Sequence, residues 1–210
     1  MTPWILVTIV AVALLLLAEY RGSRAGIWTW KPLASTGFVA TALAGGATGT
    51  TYGCWVLAAL VLSWWGDVLL IPRSRRVFLL GIASFLLGHV AFAGGFLLRG
   101  VSPLACAVTA LLLALPARQV LRWLAPHVPG EMRVAVRAYV VVICTMVACA
   151  VGTYVRAGNA GLLAGALMFF VSDLAVARER FVDHGFVNKT WGLPLYYGGQ
   201  LLLAASVTAA

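Results

Sequence analysis

The sequence predicts an all-α integral membrane protein, a bundle of eight transmembrane helices folded as a single domain over residues 1–210. Composition comes first: 62% of the residues are hydrophobic and only 10% are charged, with a mean hydropathy of +0.98. A soluble domain carries about a quarter charged residues. Next, apolar runs of about 20 residues recur, the length a helix needs to cross a hydrocarbon core of about 30 Å while satisfying its own backbone hydrogen bonds. Finally, the basic residues sit between those runs, on alternate sides.

Taken in order, the runs place helices at 3–19, 28–46, 52–71, 77–98, 102–120, 132–154, 158–177 and 190–208. The first, from Trp4 to Ala18, lacks the basic n-region and small-residue cleavage site of a signal peptide, and so reads as a retained span. Pro32 falls at the start of the second, and Pro103 and Pro116 near the two ends of the fifth. Proline is tolerated in a first turn, and neighbouring helices can satisfy what it frees. The tryptophans at 28, 30, 55, 64, 65, 123 and 191 gather near span ends, as in an interfacial aromatic belt. All four cysteines lie in apolar runs without a CxxC pair and read as buried thiols.

Charge tests the span count. Thirteen of the fifteen Lys and Arg residues fall in the connections after spans one, three, five and seven: Arg21, Arg24 and Lys31; Arg73, Arg75 and Arg76; Arg118, Arg122, Arg133 and Arg137; Arg178, Arg180 and Lys189. Only Arg99 and Arg156 lie on the other side. The positive-inside rule puts those four connections in the cytoplasm and both termini outside, which in a bacterium means the inner membrane. The net charge of +9 is thus topological. Nucleic-acid binding would need a continuous basic face on a soluble fold.

Span three runs Ala59-Leu60-Val61-Leu62-Ser63-Trp64-Trp65-Gly66-Asp67, and span seven runs Gly165-Ala166-Leu167-Met168-Phe169-Phe170-Val171-Ser172-Asp173. Each ends in an aspartate about one turn short of a basic connection, and the likeness suggests a 4 + 4 parallel repeat. Ionisable groups inside spans are costly and are the first functional candidates. Besides Asp67 and Asp173 these are Lys31 entering span two, His89 nearer mid-membrane, and the polar residues Tyr139, Tyr196, Tyr197 and Gln200. They come from six spans yet share one half of the membrane, which points to a polar cavity opening on the inner leaflet. Structural alternatives stand beside this reading. The aspartates could pair with Arg73, Arg178 or Lys31; Lys31 could snorkel; His89 could bond a backbone carbonyl; Asp183 and His184 could simply be solvated in their loop.

No HExxH, paired histidine spacing, GxSxG elbow, phosphate loop or dinucleotide fingerprint occurs, so no metal or other cofactor is expected. What remains is a pair of carboxyl groups in a low-dielectric site. Two such groups close together hold one proton between them, giving one acid and one base. That suits hydrolysis of an acid-labile bond by a positioned water.

Ser63-x-x-Gly66-Asp67, then Phe78-Leu79-Leu80-Gly81 and His89, resembles the YhhN/TMEM86 family of lysoplasmalogenases. So do Lys31-Pro32, Gly165-Ala166-Leu167-Met168-Phe169 running into Ser172-Asp173, and Tyr196-Tyr197-x-x-Gln200. The resemblance spans residues 30 to 203 and departs at Ala177-Arg178-Glu179-Arg180-Phe181, where the family more often has asparagine before Arg-Phe. It implies an eight-span hydrolase cleaving the vinyl ether bond of a lysoplasmalogen, a lysophospholipid partner drawn from the membrane, to a fatty aldehyde and glycerophosphocholine or glycerophosphoethanolamine. Asp67 and Asp173 would be catalytic. Lys31, Ser63, His89, Tyr139, Ser172, Tyr196, Tyr197 and Gln200 would bind substrate, with Lys31 holding the headgroup phosphate. A proton-coupled transporter or flippase of a small amphiphile is the alternative, with the aspartates as its proton relay.

Overall fold

A computed structural model describes residues 1–72 and 74–209. Arg73, one candidate partner for the aspartates, lies outside the described residues. Among these the chain forms eight α-helices: α1 (Thr2–Tyr20), α2 (Arg24–Ala44), α3 (Thr51–Leu69), α4 (Arg75–Arg99), α5 (Pro103–Leu124), α6 (Arg133–Ala157), α7 (Ala160–Phe181) and α8 (Phe186–Ala205). Short 3-10 turns occupy Ala47–Gly49, Gly130–Met132 and Ser206–Ala209. Six of the helices, all but α2 and α8, are long and apolar enough to cross a membrane. The chain is therefore a multi-pass helical membrane protein. The two exceptions are as long as the rest, at 21 and 20 residues, and their shortfall comes from polar side chains such as Lys31, Ser35, Asn188 and Gln200.

Local signals start and stop the helices. Ser23, Thr50, Ser102 and Asn159 accept backbone N–H bonds at the N-termini of α2, α3, α5 and α7, satisfying donors that a helix leaves free in its first turn. Helix α2 starts at Arg24, four residues before the expected span, because Ser23 caps it there. Two ends also differ from expectation around the aspartates. Helix α3 stops at Leu69, two residues past Asp67, since Ile71 precedes Pro72 and is steered out of the helical region. Helix α7 runs to Phe181, eight residues past Asp173, carried on by Arg178, Glu179 and Arg180, which favour helix once the apolar run has ended.

Successive helices pack on one another except α4 and α5, most tightly α3 on α4, α7 on α8 and α1 on α2; α4 packs on α6 instead, and α8 also meets α1 and α2. Lipid gives no hydrophobic push between helices, so close backbone approach does the work. A Cβ on Gly165 would lie 2.9 Å from the Gly199 carbonyl oxygen, and one on Gly199 would lie 2.8 Å from that of Gly165. Glycine at both positions is what lets α7 and α8 touch. At the centre Phe38, Phe92, Phe96, Phe169 and Tyr197 are fully buried, and a second cluster of Phe78, Leu124, Val128, Met132 and Val136 forms around the α5–α6 connection. Helix α5 lies outermost, with Leu124 its one buried residue.

The cysteines depart from the sequence reading. Cys149 is buried, Cys106 and Cys144 are half-buried, and Cys54 is exposed on the bundle's outer face, where lipid accepts a small hydrophobe as readily as a core does.

Gly165→Leu should drive α7 and α8 apart at a cost of about 1–3 kcal/mol, read as a lower melting temperature in detergent. Gly161→Ala, whose Cβ would meet only the Asn159 Oδ1 at 3.5 Å, should melt with the parent protein.

Candidate active site

At the end of the bundle carrying the basic connections, a cavity of about 1080 Å3 opens among seven of the eight helices, all but α5. Asp67 and Asp173 both line it, with Lys31, Tyr139 and Tyr196.

Asp67 is 2% exposed. Its Oδ2 accepts hydrogen bonds from Ser35 Oγ on α2 and Tyr196 OH on α8, both at 2.7 Å. Its Oδ1 lies 3.5 Å from the Lys31 ammonium. Lys31 and Ser35 stand one helical turn apart on α2 and so present the same face to α3. Tyr197 lies behind this set, its hydroxyl donating to the Lys31 carbonyl at 3.3 Å and meeting Ser35 Oγ at the same distance. The polar groups against the Asp67 carboxyl are all donors, two on Oδ2 and one on Oδ1.

Asp173 is held differently. Tyr139 OH on α6 donates to its Oδ2 at 2.7 Å. His89 on α4 is fully buried; its Nδ1 lies 2.7 Å from the Phe85 carbonyl and its Nε2 3.5 Å from Asp173 Oδ2. A carbonyl can only accept, so Nδ1 carries a hydrogen. Nε2, with no hydrogen-bond partner at normal length, then either offers a lone pair to a protonated carboxyl or a proton to a carboxylate. With Tyr139 keeping its own hydroxyl proton, one further proton thus has two possible seats: Asp173 and His89 Nε2.

Glycine fixes this arrangement. A Cβ at Gly66 would fall 2.5 Å from the Phe85 ring, so glycine beside Asp67 lets Phe85 press on α3 while its carbonyl orients His89. The Phe85 and Phe169 rings pack edge-on to Tyr196, and Phe169 lies 4.3 Å from the His89 ring.

The remaining candidates fall behind the cavity wall. Ser63 and Ser172 are buried, and each donates to a carbonyl of its own helix, Ala59 and Phe169 respectively. Gln200, one turn from Tyr196, is fully buried with neither amide atom hydrogen-bonded among the described residues. The two carboxyl groups make no hydrogen bond to one another. Helices α3 and α7 pack mainly on α4 and α8 respectively, so the expected direct sharing of one proton between the aspartates gives way to two separate sets facing one cavity.

Sequence reasoning passed over Ser35, although its spacing of four from Lys31 was a usable signal. It also passed over the cavity rim. Lys189 binds Glu19 at 2.6 Å and lies 3.7 Å from Glu179. The buried Asn188 donates to Glu179 and to the Asp183 carbonyl and accepts from Arg178, which also pairs with Asp183. Asp183 is therefore tied into the α7–α8 connection rather than merely solvated, and His184 lines the cavity with Nδ1 against the Glu179 carbonyl. Arg178, so engaged, is no partner of Asp173.

Removing one partner of a buried ion pair costs about 3–5 kcal/mol. Lys31→Met should therefore lower the melting temperature in detergent sharply, and adding Asp67→Asn should recover much of the loss. Additive losses in the double variant would show that the two side chains do not interact.

Over 157 residues the chain is 30% identical to a bovine protein (Bos taurus) named lysoplasmalogenase TMEM86A, covering 72% of this chain and 64% of the bovine one. It is 30% identical over 161 residues to lysoplasmalogenase TMEM86B of Sus scrofa, covering 76% of this chain and 66% of the other. A lysoplasmalogenase of Mycobacterium tuberculosis is 30% identical over 159 residues, covering 72% of this chain and 59% of the other. The chain thus spans less than two thirds of the length of these relatives. No solved structure matches. The YhhN family model matches residues 26–207, a stretch that contains every side chain of both aspartate sets, and the chain belongs to the YhhN family.

Proposed function

We propose that this protein is a membrane hydrolase that cleaves the vinyl ether bond of a lysoplasmalogen. The observation that carries the reading is the pair of aspartates on one cavity: Asp67 ringed by donors, Asp173 beside a histidine nitrogen with a free hydrogen-bonding position. The names of the relatives agree with it.

Vinyl ethers hydrolyse through protonation of the carbon distal to oxygen, which gives an oxocarbenium ion. Water adds at the carbon bearing oxygen, losing one proton, and the hemiacetal collapses to a fatty aldehyde and a glycerophosphoalcohol. Asp173 delivers the first proton, its carboxyl held in place at Oδ2 by Tyr139 and His89. Asp67, held as a carboxylate by Lys31, Ser35 and Tyr196, stabilises the cation and takes the proton from water, and water in the shared cavity returns that proton to Asp173. The cavity rim suits a zwitterionic headgroup: Lys31, Arg24 and Arg180 for the phosphate, Glu19 and Glu179 for the ammonium. A smaller apolar space of about 100 Å3, running from Asp173 and Tyr139 towards Phe170, Leu174 and Ile143, receives the start of the hydrocarbon chain.

Two further readings go with this one. The bundle crosses the membrane eight times, α2 and α8 included, with the basic connections in the cytoplasm and both termini outside. The halves α1–α4 and α5–α8 form a 4 + 4 repeat. In its support, Asp67 on α3 is held from α2 and α8, and Asp173 on α7 is held from α6 and α4. Moving four helices along the chain turns one set into the other.

A general acid contributes about 10²–10⁴ in rate. Purified protein in micelles should release aldehyde from lysoplasmalogen and none from the saturated ether analogue, and Asp173→Asn should lower the rate by about 10²–10⁴. Asp67→Asn should be impaired as well. Full activity in both variants would refute the mechanism. An inert protein in micelles that moved a lipid across a sealed bilayer would instead support the transporter reading.

A further inference from the structure

A second cavity, of about 680 Å3, lies on the outer side of the bundle between α5 and α6, at the end bearing the basic connections. Its volume falls in the range of small-molecule sites, about 300–1000 Å3. Small apolar residues such as Ala114, Ala117 and Val141 line it, together with Arg118, Arg122, Arg133 and Arg137.

These arginines are arranged in an unusual way. Arg118 and Arg122 are four apart on α5, and Arg133 and Arg137 are four apart on α6, so each pair stands on one helix face and repels. No acidic residue lines the groove. Among the described residues none of the four is in an ion pair, and Glu131, the acidic residue just before Arg133, is taken by Arg75. Four guanidinium groups, with five donors each, therefore line one groove that has no acidic side chain.

We propose that the α5–α6 groove binds a bilayer phospholipid of net negative headgroup, its phosphate held by the four arginines and one acyl chain laid along the alanine and valine floor. Arginine matches phosphate geometry with paired N–H donors, and basic pockets between helices at the cytoplasmic surface suit anionic headgroups. Charge distinguishes this site from the catalytic cavity, whose rim mixes Glu19 and Glu179 with its cations. A zwitterionic lipid fits a mixed rim; an all-cationic set selects a net anion. Charge also disfavours a second copy of the chain as occupant, because a two-fold contact through α5 would set four arginines against four. The proposal does not depend on the hydrolase reading.

The test uses the full chain purified in detergent, titrated with phosphatidylglycerol or phosphatidylcholine of the same chains, with bound lipid counted by native mass spectrometry. The parent protein should hold phosphatidylglycerol roughly tenfold or more tightly than phosphatidylcholine. Arg118→Gln with Arg122→Gln should weaken phosphatidylglycerol binding about twenty-five-fold, at roughly fivefold per arginine near the surface, and weaken phosphatidylcholine, whose choline offsets its phosphate, several-fold less. Arg133→Gln with Arg137→Gln gives an independent version of the same loss should the first pair fold poorly. Ala114→Phe, which fills the groove without touching its charge, should also weaken phosphatidylglycerol binding. Arg21→Gln with Arg76→Gln removes as much charge outside the groove and should change binding less than twofold. Equal binding of the two lipids by the parent protein would overturn the proposal. So would an equal loss in the Arg21 and Arg76 variant, or a lipid-free dimer joined through α5.

Discussion

A carboxylate buried at 2% exposure cannot stand alone in a hydrocarbon bundle. The rest of the site follows from that constraint on Asp67. Three donors must converge on it, and they come from two helices, Lys31 and Ser35 on α2 and Tyr196 on α8. That requirement draws α2, α3 and α8 into one corner of the bundle. It also accounts for the composition of α2 and α8, which give up apolar residues to supply those donors and so fall below the apolarity of their neighbours. The same logic at Asp173 recruits α6 and α4 through Tyr139 and His89.

Close packing makes the convergence possible. A lysine, a serine and a tyrosine reach one carboxylate only if the helix axes are near, and in lipid nearness depends on small residues rather than on expulsion of water. Gly165 against Gly199 joins α7 to α8, and Gly66 under the Phe85 ring joins α3 to α4. In each case the glycine lies within two turns of a polar residue of the site, so packing and chemistry are coupled along the same stretch of chain. Substituting such a glycine would shift the aspartate's partners as well as loosen the bundle.

Charge at the basic end of the bundle is sorted into two kinds of surface. Around the central cavity cations alternate with Glu19 and Glu179, and Asn188 ties the α7–α8 connection across them. Along the α5–α6 groove there are only cations. Both sets contribute equally to the topological bias of the sequence, and only position separates the mixed rim from the uniform one. Helix α5, which takes no part in the cavity and buries only Leu124, is free to present its face to lipid.

The sequence by itself determined the helices. A spanning backbone must satisfy its own hydrogen bonds, and apolar runs of about 20 residues do so as helices, so run length and charge alternation were enough to place eight segments within a few residues of α1–α8. It also marked Asp67, Asp173, Lys31, His89, Tyr139 and Tyr196, because a polar group in an apolar run is conspicuous at its own position. Tertiary structure alone decided the partnerships. Nothing local distinguishes Ser35, which binds Asp67, from Ser63, which only bonds its own helix. Nothing local reveals that the two aspartates have separate partners, or that Arg178 turns to Asp183. A residue's burial and charge cost are properties of its own position in the chain. Its partner is set by which helix lies across the gap, and that is fixed only when the whole bundle packs.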